Sequence, residues 1–257
     1  MNLDAGSVTP ELVAKLREDL PTYAFLEYDK KIRLSDHVAE PARVVVAGGD
    51  GAVSRVARQL LHTRNTLGIV PAGTYNNFAH GVGIPAGISQ AIRLLKTGRP
   101  RPVSVGRANG EAFLEAAMVG RFGQMLQVGK AIEDRDLGDL LETVGATIRS
   151  PEFEFTLSGD LNGHGTARSL FFANTPRIGA HIDIADGTPR DACIEARLGD
   201  AVLQIQRVQL RTRPRVQLFA DSRSIGRTPV LIEVDGGALQ VVLGPARMPR
   251  FPGKPAS

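Results

Sequence analysis

The chain has 257 residues, 42% hydrophobic and 23% charged, with 31 basic against 27 acidic side chains. That is an ordinary globular composition, and it excludes a disordered chain, a collagen-like fibre and a coiled coil. A net charge of +4 suits an anionic lipid surface as well as nucleic acid, but three Tyr and no Trp leave few stacking platforms, so no nucleic-acid partner is expected.

In chain order, Glu11–Leu20 places Leu12, Val13, Leu16 and Leu20 at helical spacing and is stopped by Pro21. Tyr23–Tyr28 reads as a strand. Arg43–Ala47 is a β-branched run of the kind buried on both faces of a parallel sheet. Gly48-Gly49-Asp50-Gly51 ends it, and Val53, Val56, Ala57, Leu60 and Leu61 then recur at helical spacing. Thr66–Val70 is the next strand, ended by Pro71-Ala72-Gly73, and Ile88–Leu95 the next helix. This alternation predicts a parallel sheet covered by helices.

After Pro102 the pattern changes to short extended segments: Val103–Gly106, Phe113–Met118, Glu152–Leu157, Ser169–Ala173, Cys193–Ala196, Arg215–Phe219, Val230–Val234 and Leu239–Leu243. Turn signals at Asn109-Gly110, Asn162-Gly163, Asp186-Gly187 and Asp235-Gly236 separate many of them, as in an antiparallel sandwich or barrel. Gln124–Ile148 is read as a helix, and Gly199–Arg207 is compatible with one. The predicted fold is α/β: an N-terminal parallel-sheet domain over residues 1–101 and a C-terminal antiparallel β-sandwich domain over 102–257, frayed from Pro245 to Ser257. Cys193 stands alone, so neither an intrachain disulfide nor a cysteine-pair zinc site is expected. No apolar run reaches the ~20 residues of a spanning helix, and no signal peptide is evident, so the expected location is cytoplasmic.

Two loops carry the chemistry. Glycines at the strand-to-helix turn Gly48–Gly51 let backbone N–H groups approach phosphate oxygens, with the positive end of the following helix facing the same point. Asp50 is placed there to hold a phosphate-bound magnesium. The spacing is neither the dinucleotide fingerprint nor a Walker A loop, and a plain tight turn is the alternative. Ile69–Ala79 again follows a buried strand: Gly73 permits close approach, and Thr74 and Asn76 offer short polar groups to phosphate or ribose, or serve as helix caps. At the carboxyl ends of neighbouring strands the two loops would share one ligand.

Gly48-Gly49-Asp50-Gly51, then Gly73-Thr74-x-Asn76 with Phe78-Ala79 and Gly83-Ile84-Pro85, resembles the diacylglycerol kinase catalytic family, which includes bacterial lipid kinases and sphingosine kinases. The similarity continues through Gly98-x-x-x-Pro102-Val103-x-Val105-Gly106-Arg107, Phe171-Phe172-Ala173-Asn174-Thr175-Pro176, Asp186-Gly187 and Asp235-Gly236. The resemblance implies a nucleotide-binding α/β domain beside a β-sandwich, with ATP, Mg2+ and a lipid hydroxyl meeting between them and the γ-phosphoryl group passing to that hydroxyl. By it, Gly48, Gly49, Asp50, Gly51, Ala52, Val53, Ser54 and Arg55 cradle the phosphates, and Gly73, Thr74, Asn76 and Asn77 contact the nucleotide. Asp186, flanked by Asp183 and Thr188, is implied to hold a structural magnesium, although Asp186-Gly187 fits a hairpin turn equally well. The lipid partner implies work at the inner membrane face, as a peripheral protein.

The sequence departs from the family pattern at several points. Ala52 replaces a Thr, and Asn77 stands where an acidic residue is frequent. Asp235-Gly236-Gly237 stands for Asp-Gly-Glu, so the carboxylate expected as general base is missing and Gly237 occupies its position. Glu233 and Asp235, two apart on one strand face, offer substitutes but equally suit a solvated strand. Asn2-Leu3-Asp4-Ala5-Gly6-Ser7 resembles a nucleotide-contacting loop with its Pro replaced by Leu3, and the strand before it is absent, which suggests a truncated or misassigned start. The leading expectation is an ATP-dependent lipid kinase. The alternatives are a catalytically lapsed nucleotide- or lipid-binding relative and an NAD kinase-like enzyme.

Overall fold

The protein is described by a computed structural model covering residues 8–26, 32–120, 152–179, 182–198 and 201–245. Helix α1 (Pro10–Asp19) starts with Pro at its first turn and with Thr9 Oγ1 accepting from Leu12 N at 3.3 Å. Then come β1 (Arg43–Gly48), α2 (Asp50–Leu60), β2 (Thr66–Pro71), the single turn α3 (Asn77–Gly81) and α4 (Ile88–Thr97). β1 and β2 are parallel and in register from Arg43 opposite Thr66 to Gly48 opposite Pro71. Alternate side chains of β1 serve opposite cores: Val44 and Val46 pack with Val53, Val56 and Leu60 of α2, and Val45 and Ala47 with Leu12 and Leu16 of α1 and Ile92 and Leu95 of α4.

The remaining elements are strands: β3 (Arg99–Ala108), β4 (Glu111–Phe113), β5 (Ala116–Gly120), β6 (Phe153–Gly159), β7 (Gly163–Ala167), β8 (Ser169–Ala173), β9 (Arg177–Ile178), β10 (Ile182–Asp183), β11 (Ile194–Leu198), β12 (Ala201–Ile205), β13 (Arg207–Arg213), β14 (Gln217–Ala220), β15 (Arg223–Arg227) and β16 (Val230–Leu243). One sheet runs β1-β2-β16-β13-β6-β7, with β3 and β4 beyond β16, and an antiparallel one runs β12-β11-β8-β5-β14-β15. They face each other across a core holding Phe113, Phe153, Phe172, Leu210, Leu218 and Ile232. This is the expected α/β layer with an antiparallel sandwich.

β16 joins the two parts. Val230–Glu233 pair antiparallel with β13, and Gln240–Val241 pair parallel with β2. The two strands predicted at Val230–Val234 and Leu239–Leu243 are therefore one. Asp235-Gly236 is not a hairpin turn; it opens a bulge in which Asp235–Leu239 spans only Val105–Val103 of β3, with Gly237 at φ +68°.

Two other readings change. Tyr23–Leu26 forms no strand: Phe25 lies under the Arg17 guanidinium, 4.7 Å from its ring centroid, and packs on the α1 core. Within Gly199–Arg207 the chain is β12 and the start of β13, since Val202, Leu203 and Gln204 pair with β11. The Asn2–Ser7 loop, the whole helix predicted over Gln124–Ile148 and the end after Pro245 lie outside the described residues. Among the described residues no strand precedes β1, and no helix is long and apolar enough to cross a membrane.

Candidate active site

β1 and β2 deliver their loops side by side. Ala72 N donates to Gly48 O at 3.1 Å, and beyond that bond the backbones of Gly49 and Gly73 touch. A Cβ on Gly73 would lie 2.3 Å from Gly49 Cα, and one on Gly49 would lie 3.0 Å from Gly73 Cα, so the contact requires glycine on both sides. Asn76, in the left-handed region at φ 53°, fixes the second loop by accepting from Gly73 N at 2.9 Å and donating to Gly73 O at 2.7 Å. Gly49 occupies the N-cap of α2 with no side chain to offer the first N–H groups of the helix, which leaves them for an anion. Thr74 stands exposed at the rim.

The other residues predicted near the phosphates divide. Asp50 faces the second loop and accepts from Phe78 N at 3.2 Å. Val53 is buried in the α2 core. Ser54 is turned toward the sandwich, its Oγ donating to Asp221 Oδ2 at 2.8 Å. Arg55 is half-buried on the same helix. Asn2 lies outside the described residues.

Two carboxylates that the sequence reading missed complete the site. Asp221, on the β14–β15 turn, is buried; besides Ser54 it takes Leu114 N at 3.1 Å and Glu115 N at 2.8 Å, with Arg58 at 3.7 Å. Glu115, at the corner between β4 and β5, accepts from Asn77 Nδ2 at 2.9 Å. The Phe171–Pro176 motif braces that corner: Asn174 N donates to Glu115 O at 2.8 Å, and Asn174 Nδ2 to Leu114 O at 2.8 Å. A signal for Glu115 was present, a single carboxylate in the apolar run Ala112–Val119.

Burial, and then the charges of Asp50 and Asp221, push the Glu115 carboxyl well above its ordinary value of 4.5. Burial likewise raises Asp50, with Asp221 adding to it and the Asn77 and Phe78 amides opposing it. A raised acid penalises the ionised folded state, and that penalty develops as pH climbs above the unfolded value. Glu115→Gln, which keeps an acceptor for Asn77, is therefore expected to raise the Tm of the metal-free protein at neutral pH. Thermal melts should show the gain vanish as the pH falls toward 4.5.

A cavity of about 480 Å³ opens beside Asn77 and His80, with Arg177, Asp183 and Asp186 on its far wall. Asp183 is exposed and paired with Arg177 at 2.6 Å, and Thr188 N and Oγ1 both donate to Asp191 Oδ2 at 2.8 and 3.3 Å. The Asp186 and Gly187 amides both donate to Glu195 Oε2, at 2.6 and 2.9 Å, so the Asp-Gly turn is pinned by a carboxylate rather than by hairpin strands. Among the described residues no three His, Cys, Asp or Glu side chains gather to hold a metal ion.

Asp235 and Gly237 lie elsewhere. Asp235 bonds His62 Nε2 at 2.9 Å and Arg107 Nε at 2.6 Å just past the C-terminal end of α2. The eleven residues of α2 separate it from Asp50 by about 16 Å of helix. Glu233 pairs with Arg207 at 3.4 Å. A carboxylate at 237 would stand in that remote bulge. Gly237→Glu is thus expected to leave phosphotransfer unchanged and to lower stability by about 1–2 kcal/mol through its left-handed backbone, as activity assay and thermal melts would show.

Paired glycine turns at parallel strand tips, facing a β-sandwich, form the candidate site, and comparison with known proteins shows which proteins share this arrangement. Residues 8–108 match the diacylglycerol kinase catalytic domain family, as the sequence motifs indicated. The Bacillus subtilis (strain 168) diacylglycerol kinase is 39% identical over 85 residues, spanning 32% of this chain and 28% of that protein. The Staphylococcus haemolyticus (strain JCSC1435) protein SH2167, provisionally named a lipid kinase, is 25% identical over 256 residues, covering 86% of this chain and 82% of the relative. In fold, a diacylglycerol kinase crystal structure from Bacillus anthracis str. Sterne superposes with a TM-score of 0.64 over 79% of this chain and 76% of that one, at 22% identity. Yeast NADH kinase is more distant, with a TM-score of 0.52 and 12% identity over 92% of this chain and 73% of that one. The chain is thus similar to the bacterial lipid kinases in fold and, over residues 8–108, in sequence.

Proposed function

We propose that this protein is an ATP-dependent lipid kinase that transfers the γ-phosphoryl group to the hydroxyl of a diacylglycerol-type acceptor. The observation that carries the reading is the backbone contact of Gly49 with Gly73, which sets the uncapped start of α2 and the Gly73–Asn76 turn around one point. In this reading residues 1–101 hold the nucleotide and residues 102–257 present the acceptor, at the inner membrane face.

Phosphoryl transfer needs positioning and charge stabilisation more than covalent chemistry from the protein. The N–H groups of the Gly49–Gly51 turn bind the phosphates, the Gly73–Asn76 turn fixes their neighbour, and Asp50 is held in place by the Phe78 amide. Magnesium, when bound, neutralises phosphate charge. The donor set fits it: Asp50 is an oxygen ligand at the phosphate end, and the buried Asn77 Oδ1 has no hydrogen-bond partner. The cavity beside Asn77 gives the acceptor hydroxyl an approach to the same end.

The experiment is a radiolabelled-ATP assay with magnesium against diacylglycerol, ceramide and sphingoid bases in mixed micelles, with NAD as a further acceptor. Label in a lipid supports the reading. Label in NAD alone replaces it with an NAD kinase, and nucleotide binding without transfer to any acceptor replaces it with a non-catalytic binder.

A further inference from the structure

Asp50 and Glu115 are two carboxylates that both bond Asn77, and each feels the charge of other carboxylates. Asn77 links them, its backbone N–H donating to Asp50 and its Nδ2 to Glu115 at 2.9 Å. Among the described residues no ion pair to Lys or Arg is formed by Glu115 or Asp50, and the charges that raise Glu115 are those of Asp50 and Asp221. Buried carboxyl groups without a basic partner are either protonated or, when ionised, matched by a cation.

The Asn77 carboxamide gives an independent sign. Its Nδ2 faces two acceptors, Glu115 Oε2 and Gly179 O at 3.3 Å, which fixes the amide orientation and leaves Oδ1 buried with no donor. The residue is 4% exposed. An orphaned amide oxygen on the residue that binds both carboxylates suits a hard divalent ion, which magnesium sites commonly complete with substrate phosphates.

We propose that Asp50, Glu115 and the Asn77 carboxamide oxygen are the protein's ligands for the divalent cation that accompanies the nucleotide, with Glu115 supplying the second carboxylate. The proposal rests on the kinase reading for the nucleotide but not on the identity of any acceptor. It explains how a chain with Asn at 77 keeps two carboxylates at the phosphates: the second one comes from the β4–β5 corner, across the interface, and reaches the cation beside the Asn77 side chain.

The test measures ADP affinity by calorimetry with and without Mg2+, and counts Mn2+ bound in the presence of ADP by loss of its free electron-spin-resonance signal. Wild-type protein should bind ADP more tightly with Mg2+. Glu115→Gln should bind metal-free ADP as well as wild type while losing at least about tenfold in Mn2+ affinity, the scale on which disturbed metal shells lose affinity. Glu115→Asp, one methylene shorter, should keep part of it, and it decides the matter by the same ratio if the Gln variant does not fold. Equal Mn2+ affinity in wild type and variants overturns the proposal and leaves the lipid kinase reading standing. Loss of Mn2+ in the variants, from a wild-type protein that phosphorylates no lipid, sustains the proposal and removes that reading. Failure of the wild type to bind ADP overturns both.

Discussion

Gly73→Ala is expected to fold and yet to lose at least about tenfold in nucleotide affinity. The new methyl would sit 2.3 Å from Gly49 Cα and 3.1 Å from Gly49 N, and both are backbone atoms that cannot rotate away. Relief requires the loops to part, at an overpacking cost of about 1–3 kcal/mol, and each 1.4 kcal/mol that falls on the bound state is a factor of ten in affinity. Gly49→Ala should act in the same direction but less, because its methyl would meet Gly73 Cα at 3.0 Å. Gly51→Ala meets nothing within 4 Å and lies in the first turn of α2, so its melting temperature should be unchanged or slightly higher. Calorimetric ADP titrations alongside thermal melts check the series.

The second large effect concerns stability. Asp221 gathers four groups from two segments, α2 and the β4–β5 corner: the Ser54 hydroxyl, the Leu114 and Glu115 amides and, at 3.7 Å, the Arg58 guanidinium. Asp221→Ala strips acceptors from buried donors and leaves Arg58 without its carboxylate, a change that costs about 3–5 kcal/mol when a buried charged pair is broken. In a chain of this size that is a fall in Tm of about 6–20 °C. The same substitution frees the start of α2 from the sandwich, so nucleotide binding should weaken as well. Asp221→Asn retains a residue that tolerates the left-handed turn, φ 52°, and should lose less. Urea unfolding of the two variants separates the contributions.

The central layers were legible because their strands are apolar throughout. Thr66–Pro71 is buried at every position, and Arg43–Gly48 carries the β-branched run that only a covered parallel strand supports. β7, β12 and β15 were missed for the complementary reason. Each closes the end of a sheet, and sequences such as Gly163-His164-Gly165 or Arg223-Ser224-Ile225-Gly226 carry no alternating apolar face. Asp235-Gly236-Gly237 has the composition of a turn, but nine pairings with β3 on either side of the bulge hold it inside a strand.

The site divides in the same way. Gly49, Gly73 and Asn76 act through local loop geometry, which motif spacing reports. Glu115 reaches Asn77 across 38 residues of sequence and Asp221 reaches Leu114 across 107, distances at which no local pattern signals a partner. Without that pairing, the last Asp-Gly pair of the chain stood out as the C-terminal motif, although the fold sets it at the opposite end of α2.

The most direct measurement is an ADP titration of protein labelled with 15N-glycine, followed by backbone amide resonances. The amides of Gly49, Gly51 and Gly73 are expected to shift together, with one dissociation constant, while Gly236 and Gly237 stay in place. Shifts confined to other glycines, or the absence of any at saturating ADP, would contradict it.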